Sequence, residues 1–127
     1  MEVIGNDGLK KAKLIINQGC SRSFTITHKN SQGNIIDHSN SKGYLALHDD
    51  YRNRNVKLDD AVQCSSNVIL VSIKPEDTEQ LRPGEWSWDL VVEMQGGEKV
   101  RLLFGEAEVV DTYALDKDEV KRKCRLP

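Results

Sequence analysis

Apolar and polar residues alternate along most of this chain, the period-two signature of half-buried β-strands. The clearest run is Glu85–Gln95, where Trp86, Trp88, Leu90, Val92 and Met94 share one face and Ser87, Asp89 and Glu93 share the other. Gly96-Gly97 follows, a two-residue turn of the sort that joins antiparallel strands. The partner strand runs over residues 98–110 with Val100, Leu102 and Phe104 on one face. After Gly105 the phase shifts, and Ala107 and Val109 continue the apolar series. A glycine at a phase shift predicts a β-bulge there.

Further strands are predicted upstream. Lys13-Leu14-Ile15-Ile16 is the first. Ser21–His28 alternates, with Phe24 and Ile26 on one side and Ser23, Thr25 and Thr27 on the other. Gly43–His48 places Leu45 and Leu47 together, and Asn67–Ile73 is rich in β-branched residues. Val56–Gln63 holds a short edge strand at most. Lys29–Asn34 reads as a turn and Asp49–Asn55 as an exposed polar loop. Pro75, followed by Glu76 and Asp77, signals a helix start, giving one helical turn that ends at Arg82-Pro83-Gly84.

Residues 1–12 read as an N-terminal arm broken by Gly5 and Gly8. Residues 113–127 read as a C-terminal tail, in which acids precede bases as a short helix would prefer. Between them, residues 13–112 form about seven short strands with one helical turn and no βαβ alternation. That pattern predicts an all-β fold, an antiparallel immunoglobulin-like β-sandwich.

Composition narrows the function classes. With 127 residues the chain makes one domain. A net charge of −2 argues against a protein that coats nucleic acid. No apolar run approaches the ~20 residues of a bilayer span, and the N-terminus lacks the apolar core of a signal peptide, so a soluble protein without a membrane partner is expected. Cys20, Cys64 and Cys124 are an odd, widely spaced set without a CxxC pair. They read as free thiols made in a reducing cytoplasm, with a Cys20–Cys64 bridge left open until geometry is known.

Candidate chemistry is sparse. His28, His38 and His48, with Asp37, Asp49 and Asp50, could be drawn as a metal site. Their spacing puts no two on one strand face or helix turn, so they read as solvated loop residues. Asp49, Asp50 and Asn53 lack the alternate spacing and glycine of a calcium loop. Trp86 and Trp88 share a face with Leu90, Val92 and Met94, which reads as core. An aromatic platform for a sugar is the competing reading. No GxSxG or HExxH is present, so no catalytic residue, metal or cofactor is assigned and the expectation is a non-enzyme. The residues expected to meet a protein partner are Tyr51, Arg52 and Arg54, of types favoured at interfaces, and the basic cluster Lys121, Arg122, Lys123 and Arg125.

The order of these pieces resembles the N-terminal domain of phage baseplate upper proteins and related tail or head-fibre attachment domains. The resemblance covers roughly residues 13–110. It rests on Ile15-Ile16-Asn17-Gln18-Gly19, Ser23-Phe24-Thr25-Ile26-Thr27, Ser31-Gln32-Gly33-Asn34-Ile35-Ile36-Asp37, the Thr78–Gly84 segment, Trp88-Asp89-Leu90 and the run Arg101–Val109. It implies a structural protein of a bacteriophage virion, synthesised in the host cytoplasm. Such a protein would bind connector, tail, baseplate or capsid proteins in multiple symmetric copies. Members of the family continue into a fibre or coiled coil where this chain stops at Pro127, so the expectation is an adaptor or decoration subunit. The alternative function is a carbohydrate-binding module for host or surface recognition. A hydrolase subunit is a third reading.

Overall fold

A computed structural model describes residues 1–5 and 9–115. The elements in chain order are β1 (Glu2–Ile4), β2 (Lys10–Lys11), β3 (Leu14–Asn17), β4 (Arg22–Lys29), β5 (Lys42–Asp49), β6 (Arg54–Lys57), a 3-10 turn (Asp59–Ala61), β7 (Val62–Cys64), β8 (Ile69–Ile73), α1 (Pro75–Glu79), β9 (Gly84–Glu93) and β10 (Lys99–Val110). Two sheets face one another. One has the order β1-β4-β8-β7. The other has the order β2-β10-β9-β5-β6, with β3 also on β10. The fold is an all-β sandwich of immunoglobulin-like type.

The inner faces follow the alternation in the sequence. Trp86, Trp88, Leu90 and Val92 of β9 are buried, as are Leu45 and Leu47 of β5 and Ile69, Val71 and Ile73 of β8. Phe24 meets Trp88 edge-to-face across the sandwich, with ring centroids 6.0 Å apart. Pro75 occupies the first turn of α1, where its missing N–H leaves no helical bond unmade. Thr78 anchors that turn by donating to the Cys20 carbonyl at 2.8 Å. Gly96 and Gly97 both take positive φ, +97° and +92°, as the tight β9–β10 hairpin requires.

Two local expectations are corrected. First, the N-terminal arm is not outside the sheets. β1 runs parallel to β4, and β2 and β3 run parallel to β10, so the sheets are mixed rather than wholly antiparallel. Gly5 interrupts this segment, at φ +108°, without keeping it out of the fold. Second, the β10 bulge lies between Arg101 and Leu103, not at Gly105. Leu102 and Leu103 are both fully buried, and two adjacent residues can turn inward only where the pleat is broken. Phe104 therefore falls on the outer face, under the Arg101 guanidinium. Ile35 makes one isolated bridge to Lys29. The expected C-terminal helix lies outside the described residues.

Gly105 has a different task from the one its position suggested. Its φ is +151°, and a Cβ placed there would strike the Ala12 carbonyl oxygen. Ala12 donates its N–H to the Phe104 carbonyl at 2.9 Å, and its own carbonyl accepts the Trp88 indole N–H at 3.0 Å. The absence of a side chain at Gly105 thus lets the β2–β3 segment close on β10. Gly105→Ala is expected to cost at least about 2 kcal/mol, read by chemical denaturation, because both the conformation and the close approach are lost.

Candidate functional site

The feature that presents a large aromatic side chain to solvent on a fixed frame is the loop joining β5 to β6. Alternation along β5 puts Gly43, Leu45, Leu47 and then Asp49 on the inner face. Asp49 is therefore buried, with 0% of its residue surface exposed, which corrects its expected place in an exposed loop. A carboxylate in that position must be paired. Arg82, just after α1, supplies the pair: its Nη2 donates to Asp49 Oδ1 at 2.8 Å and its Nε to Oδ2 at 3.2 Å. The backbone N–H groups of Tyr51 and Arg52 also donate to Oδ1, at 3.0 and 3.2 Å. Asn53 closes the loop by donating to the Asp49 carbonyl at 2.7 Å, and it takes the left-handed φ of +53° that Asn tolerates. The Arg82 hydrogen bond is the main reason that the Asp49 carboxyl sits at a pKa of about 2, against the opposing effect of its burial.

This network sets the loop's outer surface. Tyr51 is 84% exposed, and the Arg82 guanidinium lies 5.4 Å from its ring centroid. Arg52 is exposed beside it. Arg54 points elsewhere: with Lys57, Leu58, Asp77, Glu79 and Leu81 it lines a groove of about 650 Å³ between β6 and α1. Thus two of the three loop residues expected to meet a partner lie together and the third borders a separate depression. Lys121, Arg122, Lys123 and Arg125 lie outside the described residues.

The histidines divide in two. His48 is partly exposed on β5, bonded through Nδ1 to the Asn55 side chain at 2.7 Å. His28 and His38 are buried and bonded to each other, Nδ1 to Nε2, at 2.9 Å, which corrects their reading as solvated loop residues. Their neutral tautomers follow from one fixed acceptor. The Gly5 carbonyl can only accept, so His28 Nε2 carries a proton and donates to it at 2.9 Å. His28 Nδ1 then accepts from His38 Nε2, and His38 Nδ1 accepts from the Ser41 hydroxyl at 2.8 Å. Burial pushes the His38 pKa down and the His28 ring adds to the shift, while Asp37 opposes it. His28 follows Phe24 and Ile26 on the inner face of β4, so continuing that alternation would have exposed its burial from sequence.

Trp86 and Trp88 are both core, 1% and 3% exposed, with indole N–H groups donated inward to the Arg82 and Ala12 carbonyls. Cys20 and Cys64 are unbridged, and burial raises the Cys64 thiol pKa. Among the described residues, no group of three or more His, Cys, Asp or Glu side chains could hold a metal ion. No helix among them is long and apolar enough to cross a membrane.

No protein-family model matches the chain, and no curated protein matches it. Among solved structures, the fold is similar to the N-terminal domain of phage TP901-1 ORF48, at 9% identity and a TM-score of 0.48. That match covers 86% of this chain and 94% of the other. The fold is also similar to part of a family 123 glycoside hydrolase from Clostridium perfringens (12% identity, TM-score 0.38) and of the twitchin kinase region from C. elegans (14% identity, TM-score 0.32). Those matches cover 80% and 87% of this chain but 23% and 15% of the respective structures.

Two pH responses are expected. Asp49 has a folded pKa below its unfolded value, so its stabilisation is complete above about pH 4 and is lost as pH falls towards about 2. Asp49→Asn should flatten that part of the acid-unfolding profile and should cost about 3 kcal/mol at neutral pH by leaving Arg82 unpaired. His38 also has a lowered pKa, but it gains charge on protonation, so the unfolded chain takes up the proton first. Thermal stability should therefore decline as pH falls below about 6.5, and His38→Gln should reduce that slope in melts recorded from about pH 7.5 to 5.5.

Proposed function

We propose that this chain is a structural protein of a bacteriophage virion, an adaptor or decoration subunit at the head–tail connector, tail or baseplate. It acts by binding other virion proteins in multiple symmetric copies, not by catalysis, and is synthesised in the host cytoplasm before incorporation into particles. The observation that carries the binding mode is Tyr51: an exposed aromatic ring on a loop whose backbone is fixed by a buried carboxylate and whose ring is backed by Arg82. Such an anchor loses little conformational freedom on docking, and Tyr and Arg dominate the energetics of protein interfaces. The resemblance of its ordered motifs to those of phage attachment domains supports the virion context. In this reading Arg52 extends the Tyr51 contact, Arg54 borders a second one, and Lys121, Arg122, Lys123 and Arg125 engage an acidic surface on a neighbouring subunit.

The carbohydrate-binding alternative asked for exposed tryptophan rings, and both tryptophans are buried with their N–H groups satisfied inside the sandwich.

The test is co-sedimentation of the tagged chain with phage particles and a binding screen against isolated connector, tail, baseplate and capsid proteins. Tyr51→Ala is expected to weaken the captured interaction by about tenfold or more while leaving the thermal midpoint unchanged. A chain absent from particles and binding none of these components would sink the proposal.

A further inference from the structure

The larger sheet ends at β6, whose far side meets no other strand among the described residues. Leu58 donates its N–H to the Leu45 carbonyl at 2.8 Å, one step beyond the β5–β6 register. In an antiparallel pair such hydrogen-bonded positions alternate with open ones. Arg54, Val56 and Leu58 therefore turn their backbone groups towards β5, and Asn55 and Lys57 turn theirs outwards. Nothing among the described residues bonds to those outward groups. The same alternation sorts the side chains. Asn55 and Lys57 share the outer face with His48 and Ala46, while Arg54, Val56 and Leu58 share the inner face with Asp49, Leu47 and Leu45.

At this flank the sandwich is open. The groove of about 650 Å³ between β6 and α1 shows Val56, Leu58 and Leu81 in its lining, and α1 brings Asp77 and Glu79 to the opposite wall. Leu58 and Leu81 belong to the hydrophobic core, so the groove reaches down to it. Among the described residues, none of Arg54, Lys57, Asp77 and Glu79 forms an ion pair.

We propose that this flank takes one extended segment of a partner protein, which adds a strand to β6 and sends alternate side chains into the groove. Free backbone groups at a sheet edge select an extended chain, since only a strand satisfies them in series. The groove selects the inward side chains: apolar against Val56 and Leu81, basic towards Asp77 and Glu79. On the outer face an acidic side chain suits Lys57. A second copy's β6 does not meet these terms, because it brings Arg54 and Lys57 and no acid, setting like charges on both strands of the ribbon. Both walls are in place before a partner arrives: β6 is held by β5, and α1 by the Thr78 hydroxyl on the Cys20 carbonyl. Such a contact rests on the reading that the chain works by binding proteins, with Arg54 at a second contact. It is measured on the isolated chain, so its failure is distinct from a failure to enter particles.

The probe is the peptide acetyl-Thr-Val-Glu-Lys-Glu-Val-Thr-amide, whose Val, Lys and Val side chains share the face meant for the groove. Titration calorimetry with the full chain is expected to show one-to-one binding. Lys57→Pro removes an outward donor but no bond to β5, and should weaken binding by about tenfold or more while circular dichroism shows the sheet retained. Glu79→Lys, a change on the groove wall, should weaken this peptide by about fivefold or more and strengthen one with Glu in place of its Lys. N-methylation of the peptide at alternate residues should abolish binding in one phase and spare it in the other, since only alternate N–H groups face β6. No binding at about 1 mM peptide overturns the proposal. So does binding indifferent to Lys57→Pro and to N-methylation in both phases. A chain that dimerises without peptide, and loses the dimer in Lys57→Pro, overturns it as well and gives the edge to a second copy.

Discussion

The Trp88 indole sets the terms for the rest of the sandwich. Burying so large a ring stabilises the core, but an indole N–H left without an acceptor inside it would cost on the order of 1–3 kcal/mol. The acceptor is the Ala12 carbonyl, which comes from the N-terminal segment and not from either neighbouring strand. Ala12 reaches that position because β2 and β3 lie parallel against β10 and because Gly105 presents no side chain there. Trp88 also meets Phe24 of the opposite sheet edge-to-face. One side chain thus joins the two sheets and the N-terminal segment, and each joint depends on the others being made.

Three of the four buried polar side chains among the described residues, His28, His38 and Asp49, are gathered at the two ends of β5. Beyond its start, His38 is held by Ser41 and His28; at its finish, Asp49 is held by Arg82 and two backbone amides. Both arrangements close an end of the sandwich with groups that can ionise, but they respond to acid in different ranges. His38 resists gaining a proton because it is buried, whereas the aspartate resists gaining one until strongly acid conditions because its charge is already paired. The end bearing the exposed Tyr51 is therefore the one whose framework withstands mild acid.

What could be read from the sequence was whatever depends on neighbours in the chain. The Trp86–Val92 alternation, the helical turn at Pro75 and the glycine hairpin each follow from residues within a few positions of one another, and each formed where expected. What escaped reading depends on partners far apart. Asp49 looked like one more acid in a polar loop because Arg82 is 33 residues away. His28 and His38 looked solvated because their mutual bond joins the end of β4 to the segment between β4 and β5. Leu102 and Leu103 both had to be buried, which moved the bulge three residues from the glycine that seemed to announce it. The partner-facing residues were proposed from residue type alone; burial of Asp49 then explains how Tyr51 is displayed, which residue type could not.

The parallel pairing of β3 with β10 also has a mechanical side. Four residue pairs, Leu14 to Asn17 against Ala107 to Val110, hold a segment near the start of the chain beside the last strand. Tension that draws the N-terminal segment and the end of β10 apart acts along these strands, so it loads the hydrogen bonds between them together in shear instead of opening them one after another. A domain strung between two anchored neighbours would in this way carry force along its own axis before its sheets part.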